Sequence, residues 1–413
     1  MSIADFSGRN GPDACPGALQ VHQAADGPLA RVRLPGGRIT AAQLLVLAGH
    51  TEVVELTSRA NVQVRALRSP TDFARRLADA GLLPSPSHER VRNIIASPLG
   101  GRGTVGVLDT DPLVEALDAA LCGNARLAGL PGRFLFALDD GSGDVTALGA
   151  DVTLVPAAGL GADVKPVPEA ALDADVTPVS GVGLLLAGED IGLRFPVEEA
   201  VALMIAAAEA FLDVRGPDGA WRIAELPDGP ARVAARLREN LSAAGLGVSG
   251  DRWAPSVAGP DRGIRRAGAV GLRDGRVALE AVVPLGRLTA VQARVLAQVA
   301  ESVRLTPWRT VVLLDLDPQH ATDLALRLQQ AGLVTDPDSS WTGVTACTGR
   351  PGCAKALADV QADAAAWVRA GRGGAGGGEL PVHWAGCERL CGLPRGSVIQ
   401  MVATPDGYQE RQQ

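Results

Sequence analysis

The clearest hydrophobic pattern in this chain occurs twice. After Gly37-Arg-Ile-Thr40, apolar residues fall at Ala41, Leu44, Leu45 and Ala48, the spacing of one helix face, and a strand-like segment follows. The same pattern returns as Gly286-Arg-Leu-Thr-Ala-Val-Gln292. The match runs ungapped through Leu47/Leu296 and Ala48/Ala297 to Val54/Val303, Leu56/Leu305 and Thr57/Thr306, always at an offset of 249. A helix feeding a strand, repeated at this distance, predicts two long halves of similar plan. Ala80-Gly-Leu82 and Ala331-Gly-Leu333, at an offset of 251, end a further helix in each half. Helices are also expected over Pro196 to Leu212, Ala231 to Ala243 and Ala354 to Ala370. Asp139-Asp-Gly-Ser-Gly-Asp144 reads as a turn, the Pro/Ala/Asp stretch from Pro156 to Pro178 as a surface connection, and Gly371 to Gly378 as a solvated linker.

If Val54 to Leu67 is extended, Arg59, Asn61, Gln63 and Arg65 share one face, with Val62, Val64 and Ala66 on the other. The offset places Trp308, Thr310, Val312 and Leu314 at the equivalent positions, so duplication leaves one polar wall and one mainly apolar counterpart. Arg31 and Arg33, alternating within Ala30 to Leu34, fit an exposed strand face or a carboxylate clamp equally well.

At 413 residues the chain is expected to form more than one domain. With 46% hydrophobic but only 3% aromatic residues, Ala, Val and Leu must fill the interior of a folded, soluble protein. A net charge of −7 removes the overall cationic footprint of a nucleic-acid binder, yet nearly every positive charge is Arg, the group best suited to gripping carboxylates. The only lysines are Lys165 and Lys355. No signal-peptide pattern opens the sequence. The most apolar helix candidate carries Glu198, Glu199 and Glu209 and is short for a bilayer, so a cytoplasmic protein without a membrane span is expected.

Six cysteines without a secretory signal favour metal or redox use over disulfides. Cys347-Thr-Gly-Arg-Pro-Gly-Cys353 and Cys387-Glu-Arg-Leu-Cys391 give C-x5-C followed by C-x3-C. Four thiolates suffice for a [4Fe-4S] cluster, the glycines let backbone fold closely around sulfide, and the helix from Ala354 would turn its N-terminus toward it. A structural zinc and inert buried thiols are the rivals. At the 251 offset Cys347 stands opposite Ala96, so only the second half can hold such a group. Cys15 reads as a surface thiol and Cys122 as core. Gly101-Arg-Gly-Thr-Val-Gly106 fits G-x-G-x-x-G only formally, and the five histidines form no helical metal motif.

These motifs, with Leu34-Pro-Gly-Gly37, Leu56-Thr-Ser-Arg-Ala-Asn-Val-Gln63, Arg92-Asn93 and Leu130-Pro-Gly-Arg-Phe134, resemble the nitrite and sulfite reductase-like proteins over most of the chain. The resemblance implies an α+β fold of two ferredoxin-like segments paired about a pseudo-twofold axis, with two mixed α/β lobes. The expected division is 1–69 and 251–316 for the ferredoxin-like halves, 70–250 and 317–413 for the lobes, the last with the [4Fe-4S] site on Cys347, Cys353, Cys387 and Cys391. It further implies that Arg59, Arg92 and Arg133 hold a tetrapyrrole's carboxylates, with Asn61, Gln63 and Asn93 as neighbouring donors. Siroheme-dependent reductases add a Lys-x-Lys pair; the matching residues here are Arg133 and Leu135. Ala14-Cys-Pro-Gly17 and Phe134 to Gly143 are similar to a branch of the family in which a siroheme-like polycarboxylate, precorrin-3A, is the substrate of a monooxygenase of aerobic cobalamin biosynthesis. For that branch the resemblance implies dioxygen, NADH-derived electrons supplied directly or through a reductase, and a mononuclear non-haem iron whose ligands the sequence does not give. The alternatives are a siroheme nitrite or sulfite reductase and a non-enzymatic iron–sulfur electron-transfer or sensor protein.

Overall fold

A computed structural model describes residues 15–157, 181–216, 219–243, 267–372 and 380–412. Most of the connection expected over Pro156 to Pro178 and of the linker expected over Gly371 to Gly378 lies outside them.

The first ferredoxin-like segment contains β1 (His22–Ala24), β2 (Gly27–Val32), β3 (Arg38–Thr40), α1 (Ala41–Ala48), β4 (Val53–Leu56), β5 (Val62–Val64) and α2 (Pro70–Asp79). Its lobe follows with β6 (Ile94–Ala96), α3 (Asp111–Gly123), β7 (Phe136–Leu138), β8 (Val152–Pro156), β9 (Gly181–Leu186), β10 (Glu189–Pro196), α4 (Ala200–Arg215) and α5 (Gly229–Ala243). The second segment repeats the order: β11 (Gly268–Gly271), β12 (Val277–Val282), β13 (Arg287–Thr289), α6 (Ala290–Val299), β14 (Ser302–Leu305), β15 (Thr310–Leu316) and α7 (Pro318–Gln330). The second lobe has β16 (Val344–Ala346), α8 (Val360–Arg369), β17 (Val382–Ala385), β18 (Ile399–Thr404) and β19 (Gly407–Gln412).

The repeat is visible atom by atom. Thr40 and Thr289 each cap their helix by accepting from the N–H of Gln43 and Gln292, while those glutamines reach back to the threonine N–H at 3.0 and 2.8 Å. Gly37 and Gly286 both take φ 70°. The segments also exchange strands: sheet order β1-β2-β5-β4-β13 takes its last strand from the second segment, and β11-β12-β15-β14-β3 takes its last from the first. The registers obey the same offset, with Leu288 opposite Val54 and Val303 opposite Ile39. Helices α1 and α6 pack together across this axis, and one core unites Ile39, Leu44, Leu47 and Val54 with Leu288, Leu296, Val303 and Leu305. Each such aliphatic side chain contributes about 1.5–3 kcal/mol when removed from water. The expected duplicated fold is therefore the observed one.

The lobes follow one plan as well: β6, β7 and β8 run parallel, as do β16, β17 and β18, and each set continues into an antiparallel strand. Ser97 and Cys347 each immediately follow the first of these strands, so Cys347 corresponds to Ser97 and not to Ala96; the offset slips by one residue in the intervening loops.

Two local expectations are corrected. Val54 to Leu67 is not one extended segment but the hairpin β4–β5, with Glu55 opposite Gln63. Thr57 closes its turn: its hydroxyl accepts from the N–H of Arg59 and Asn61, and Ala60 adopts φ 55°, which an alanine gives no sign of in a sequence. Helix α8 begins at Val360, not Ala354, because Asp359 caps it by accepting from Ala362 N–H at 3.1 Å.

Candidate cofactor and ligand site

Cys347 leaves the end of β16, and Cys387 and Cys391 follow β17, its parallel neighbour, so the two cysteine segments emerge side by side at one edge of the second lobe. Tight turns shape both. Cys353 N–H donates to Gly349 O at 2.9 Å and Leu390 N–H to Cys387 O at 3.2 Å, while Gly349, Leu390 and Gly392 take positive φ. A side chain on Gly386 would strike Ala356, and its N–H instead donates to Cys347 Sγ at 3.2 Å. The four thiols form a linked electrostatic set, with Cys391 and Cys353 acting on Cys347 and Cys387 and Cys353 acting on Cys391. Burial pushes Cys347 and Cys391 above the ordinary thiol range, against the backbone N–H groups of Gly386 and Gly349 at Cys347 and the charge of Arg389 at Cys391, with the neighbouring thiols adding to the rise.

Among the described residues no three His, Cys, Asp or Glu side chains close on a single point as one metal ion requires. A cubane instead takes each thiolate on a different iron, so four gathered thiols with an N–H aimed at sulfur fit an iron–sulfur cluster better than tetrahedral zinc. The start of α8 does abut the cysteine turn, since Gly349 lies against Val360 and Gln361 Nε2 donates to Cys347 O. The Asp359 carboxylate already satisfies that helix end.

A second set of groups lines the first segment. Arg33 is 2% exposed, donates through Nη2 to Pro16 O at 3.2 Å, and among the described residues leaves Nε and Nη1 without hydrogen-bond partners. Arg31, one pleat away on β2, donates to Gln63 Oε1 at 3.0 Å and leaves Nε unpartnered among the described residues. Burial, then the charges of Arg31 and Arg59, lower Arg33 to about 9; burial, then Arg222, lower Arg59 to about 10. Arg395, just beyond Cys391, is pushed down by partial burial and by Arg222 and lies against Gly149 of the first lobe. Arg222 pairs with the buried Asp151 at 2.5 Å. Arg31, Arg33, Arg59, Arg222 and Arg395 thus run from the β2–β5 wall to the cysteine turn, with Glu55 acting on Arg31, Glu89 on Arg33 and Asp151 on Arg59, Arg222 and Arg395. The exposed strand face allowed for Arg33 in the sequence is ruled out by its burial.

The predicted ligand residues divide. Arg59 sits at the hairpin tip, where its Nη1 donates to Gly132 O at 3.4 Å. Arg133 lies 3.6 Å from Glu225 and is half exposed. Arg92 is held bidentately by Asp118 at 2.6 Å through both Nε and Nη2, so it is an internal ion pair behind the wall and not a free cation. Asn61 accepts from Leu34 N–H and donates to Asn93 Oδ1, and Asn93 donates to Gly132 O and Phe134 O; both brace loops. Gln63 bridges Arg31 and Glu55. Cys15 is not an isolated surface thiol, since it acts on Arg31, Arg33 and Arg59. Cys122 is half-buried beside Asp118 and Arg92. Gly101 N–H donates to Asp140 Oδ2, and Gly106 packs on the same carboxylate, so that glycine loop is already filled. Sequence reasoning missed Arg222 and Arg395. For Arg395 the signal was its place four residues after Cys391; Arg222 carries none, since only the fold brings it to Arg59.

This duplicated, strand-exchanging architecture is the fold of the nitrite and sulfite reductases, and the comparisons with known proteins point the same way. Residues 271–331 match the nitrite/sulfite reductase ferredoxin-like half domain. The chain is 27% identical over 403 residues to a ferredoxin–nitrite reductase of Synechococcus elongatus, covering 89% of this chain and 74% of the relative. It is 25% identical over 402 residues to a precorrin-3B synthase of Sinorhizobium sp, covering 96% and 81%. The NirA protein of Mycobacterium tuberculosis shares its fold, with a TM-score of 0.69 over 93% of this chain and 73% of that one, at 22% identity. The relatives are oxidoreductases, and no helix among the described residues is long and apolar enough to cross a membrane.

Proposed function

We propose that this protein is an oxidoreductase that binds a polycarboxylate tetrapyrrole between the arginine wall and a [4Fe-4S] cluster on Cys347, Cys353, Cys387 and Cys391. The unpartnered donors of buried Arg33 carry this reading, because a buried guanidinium without an anion is costly and a ligand carboxylate removes that cost. Arg31, Arg33 and Arg59 would supply the N–H donors that hold the carboxylates of such a ligand. When bound, the cluster supplies single electrons. Arg133 would guide the ligand's rim, and Asn61, Gln63 and Asn93 fix the geometry of the arginines and of the loop around Gly132.

The reading extends to the substrate: precorrin-3A, hydroxylated at C20 with lactone formation, using dioxygen and NADH-derived electrons, as in a precorrin-3B synthase. The chain is similar to a precorrin-3B synthase and to a nitrite reductase alike, so what favours this reading over a siroheme reductase is the Lys-x-Lys position, which holds Arg133, 3.6 Å from Glu225, and Leu135, which is 4% exposed. Reduction of a small anion wants dense positive charge at that point; a large tetrapyrrole does not. A mononuclear non-haem iron belongs to this reading without assigned ligands.

Anaerobic absorption spectra of the purified protein, followed by turnover assays, test it. The expected result is a broad cluster shoulder without a sharp Soret band, and consumption of precorrin-3A with dioxygen and an electron donor. A retained siroheme band with nitrite or sulfite turnover alone would replace the reading with the reductase. Cluster without either turnover would replace it with an electron-transfer or sensor role.

A further inference from the structure

The hairpin β14–β15 repeats the turn of β4–β5. Thr306 Oγ1 accepts from Trp308 N–H at 3.2 Å and Thr310 N–H at 3.4 Å, as Thr57 does for Arg59 and Asn61. The residue in the left-handed conformation is Ala60 in the first copy, at φ 55°, and Arg309 in the second, at φ 62°. An arginine is an unfavourable choice for that backbone, where glycine or asparagine is easier. Duplication has therefore kept the turn and shifted its charge by one residue, from Arg59-Ala60 to Trp308-Arg309.

The surroundings are cut to fit the Arg309 side chain. A Cβ on Gly286 would stand 2.5 Å from Arg309 Cδ and 3.2 Å from Cγ, whereas at Gly37, its counterpart, the neighbouring side chain is only the methyl of Ala60. At the far end Arg309 Nη2 donates to Gly392 O at 3.0 Å, and a Cβ on Gly392 would approach that nitrogen to 2.7 Å. Glycine at both ends opens the path. Arg309 is 8% exposed and, among the described residues, pairs with no carboxylate; its electrostatic neighbours of opposite sign are Glu55 and Cys347. Glu55 is shared with Arg287 and Gln63. His383, buried beneath the cysteine turn with Nδ1 2.9 Å from Thr345 Oγ1, faces Arg309 and supplies no counter-charge.

We propose that Arg309 is the positioning and charge-compensating residue of the four-cysteine site, holding the Cys391–Gly392 turn by its carbonyl and placing a fixed positive charge against Cys347. This rests on the cluster reading above. A nearby cation stabilises the more negative, reduced cluster, so it raises the reduction potential; hydrogen bonding and net charge are the protein's usual means of setting that potential.

The test is spectroelectrochemical titration of the reconstituted full chain, with iron and sulfide content measured alongside. Arg309→Met, which keeps the stem and removes the charge, should retain the cluster but be at least tenfold less reduced at the ambient potential that half-reduces the parent, equivalent to 59 mV for one electron. Arg309→Lys should recover most of that shift. Gly392→Ala, which crowds Nη2 away, should move the potential in the same direction as Arg309→Met, and it reports on Arg309 should the methionine variant lose its iron. Unchanged potentials in Arg309→Met and Gly392→Ala at full iron content would overturn the proposal. Failure of the parent chain to assemble any cluster, with the Cys347→Ser variant no different, would instead overturn the four-cysteine reading.

Discussion

Arg33 carries the proposed ligand site through an energetic cost. Removed from water with two of its donors unpartnered and two like charges beside it, it lowers the stability of the ligand-free protein. Arg33→Met should therefore stabilise the ligand-free chain at pH 7 by about 1–3 kcal/mol, the penalty of an unsatisfied buried polar group. The sign with pH follows from linkage. The folded state holds Arg33 down at about 9, so above that pH the unfolded state binds more protons than the folded one, and the parent gains stability as pH rises. Urea unfolding should show the gap between parent and variant closing above pH 9. The same substitution should weaken tetrapyrrole binding roughly ten- to a hundredfold, the loss of one charge-assisted contact. A variant less stable than its parent, with unaltered binding, would make Arg33 a structural residue.

At the scale of elements, the two capping boxes carry the repeat. Each threonine satisfies one helix N–H, and each glutamine also fixes the next helix end, Gln43 through Ala80 O at 3.0 Å and Gln292 through Gly332 O at 3.1 Å. Thr40→Ala or Thr289→Ala should each cost about 1 kcal/mol in urea unfolding and leave ligand affinity untouched, because a cap acts locally. These boxes were legible because Thr-x-x-Gln is a local pattern repeated at a fixed distance. The hairpins between β4 and β5 and between β14 and β15 were not, since their turns depend on positive φ at Ala60 and Arg309, residues that do not announce it. Nor was the true start of α8, where Ala354 onward has helical composition but Asp359 provides the stronger cap. The cysteine spacing was legible in sequence, whereas the meeting of Arg222 and Arg395 with Arg59 was not, because they come from separate lobes and only tertiary packing brings them together.

For the whole molecule, the exchanged strands β3 and β13 decide what can fold alone. A fragment of residues 1–250 would present β4 without its β13 neighbour, and a fragment of residues 251–413 would present β14 without β3; each exposes an unpaired edge above a divided core. Expressed separately, both should aggregate; expressed together, they should co-purify as a one-to-one complex by gel filtration. A monomeric, cooperatively folded fragment would refute this. The exchange also bears on descent. A chain with one copy of the repeat could complete these sheets only by trading edge strands with a second molecule of itself, so the unit that was duplicated is best understood as a homodimer. Joining the copies in one polypeptide made that association intramolecular and independent of concentration. Two identical subunits must carry every substitution on both sides of their axis. A fused gene is released from that constraint, and here one side could specialise in arginines while the other specialised in thiols.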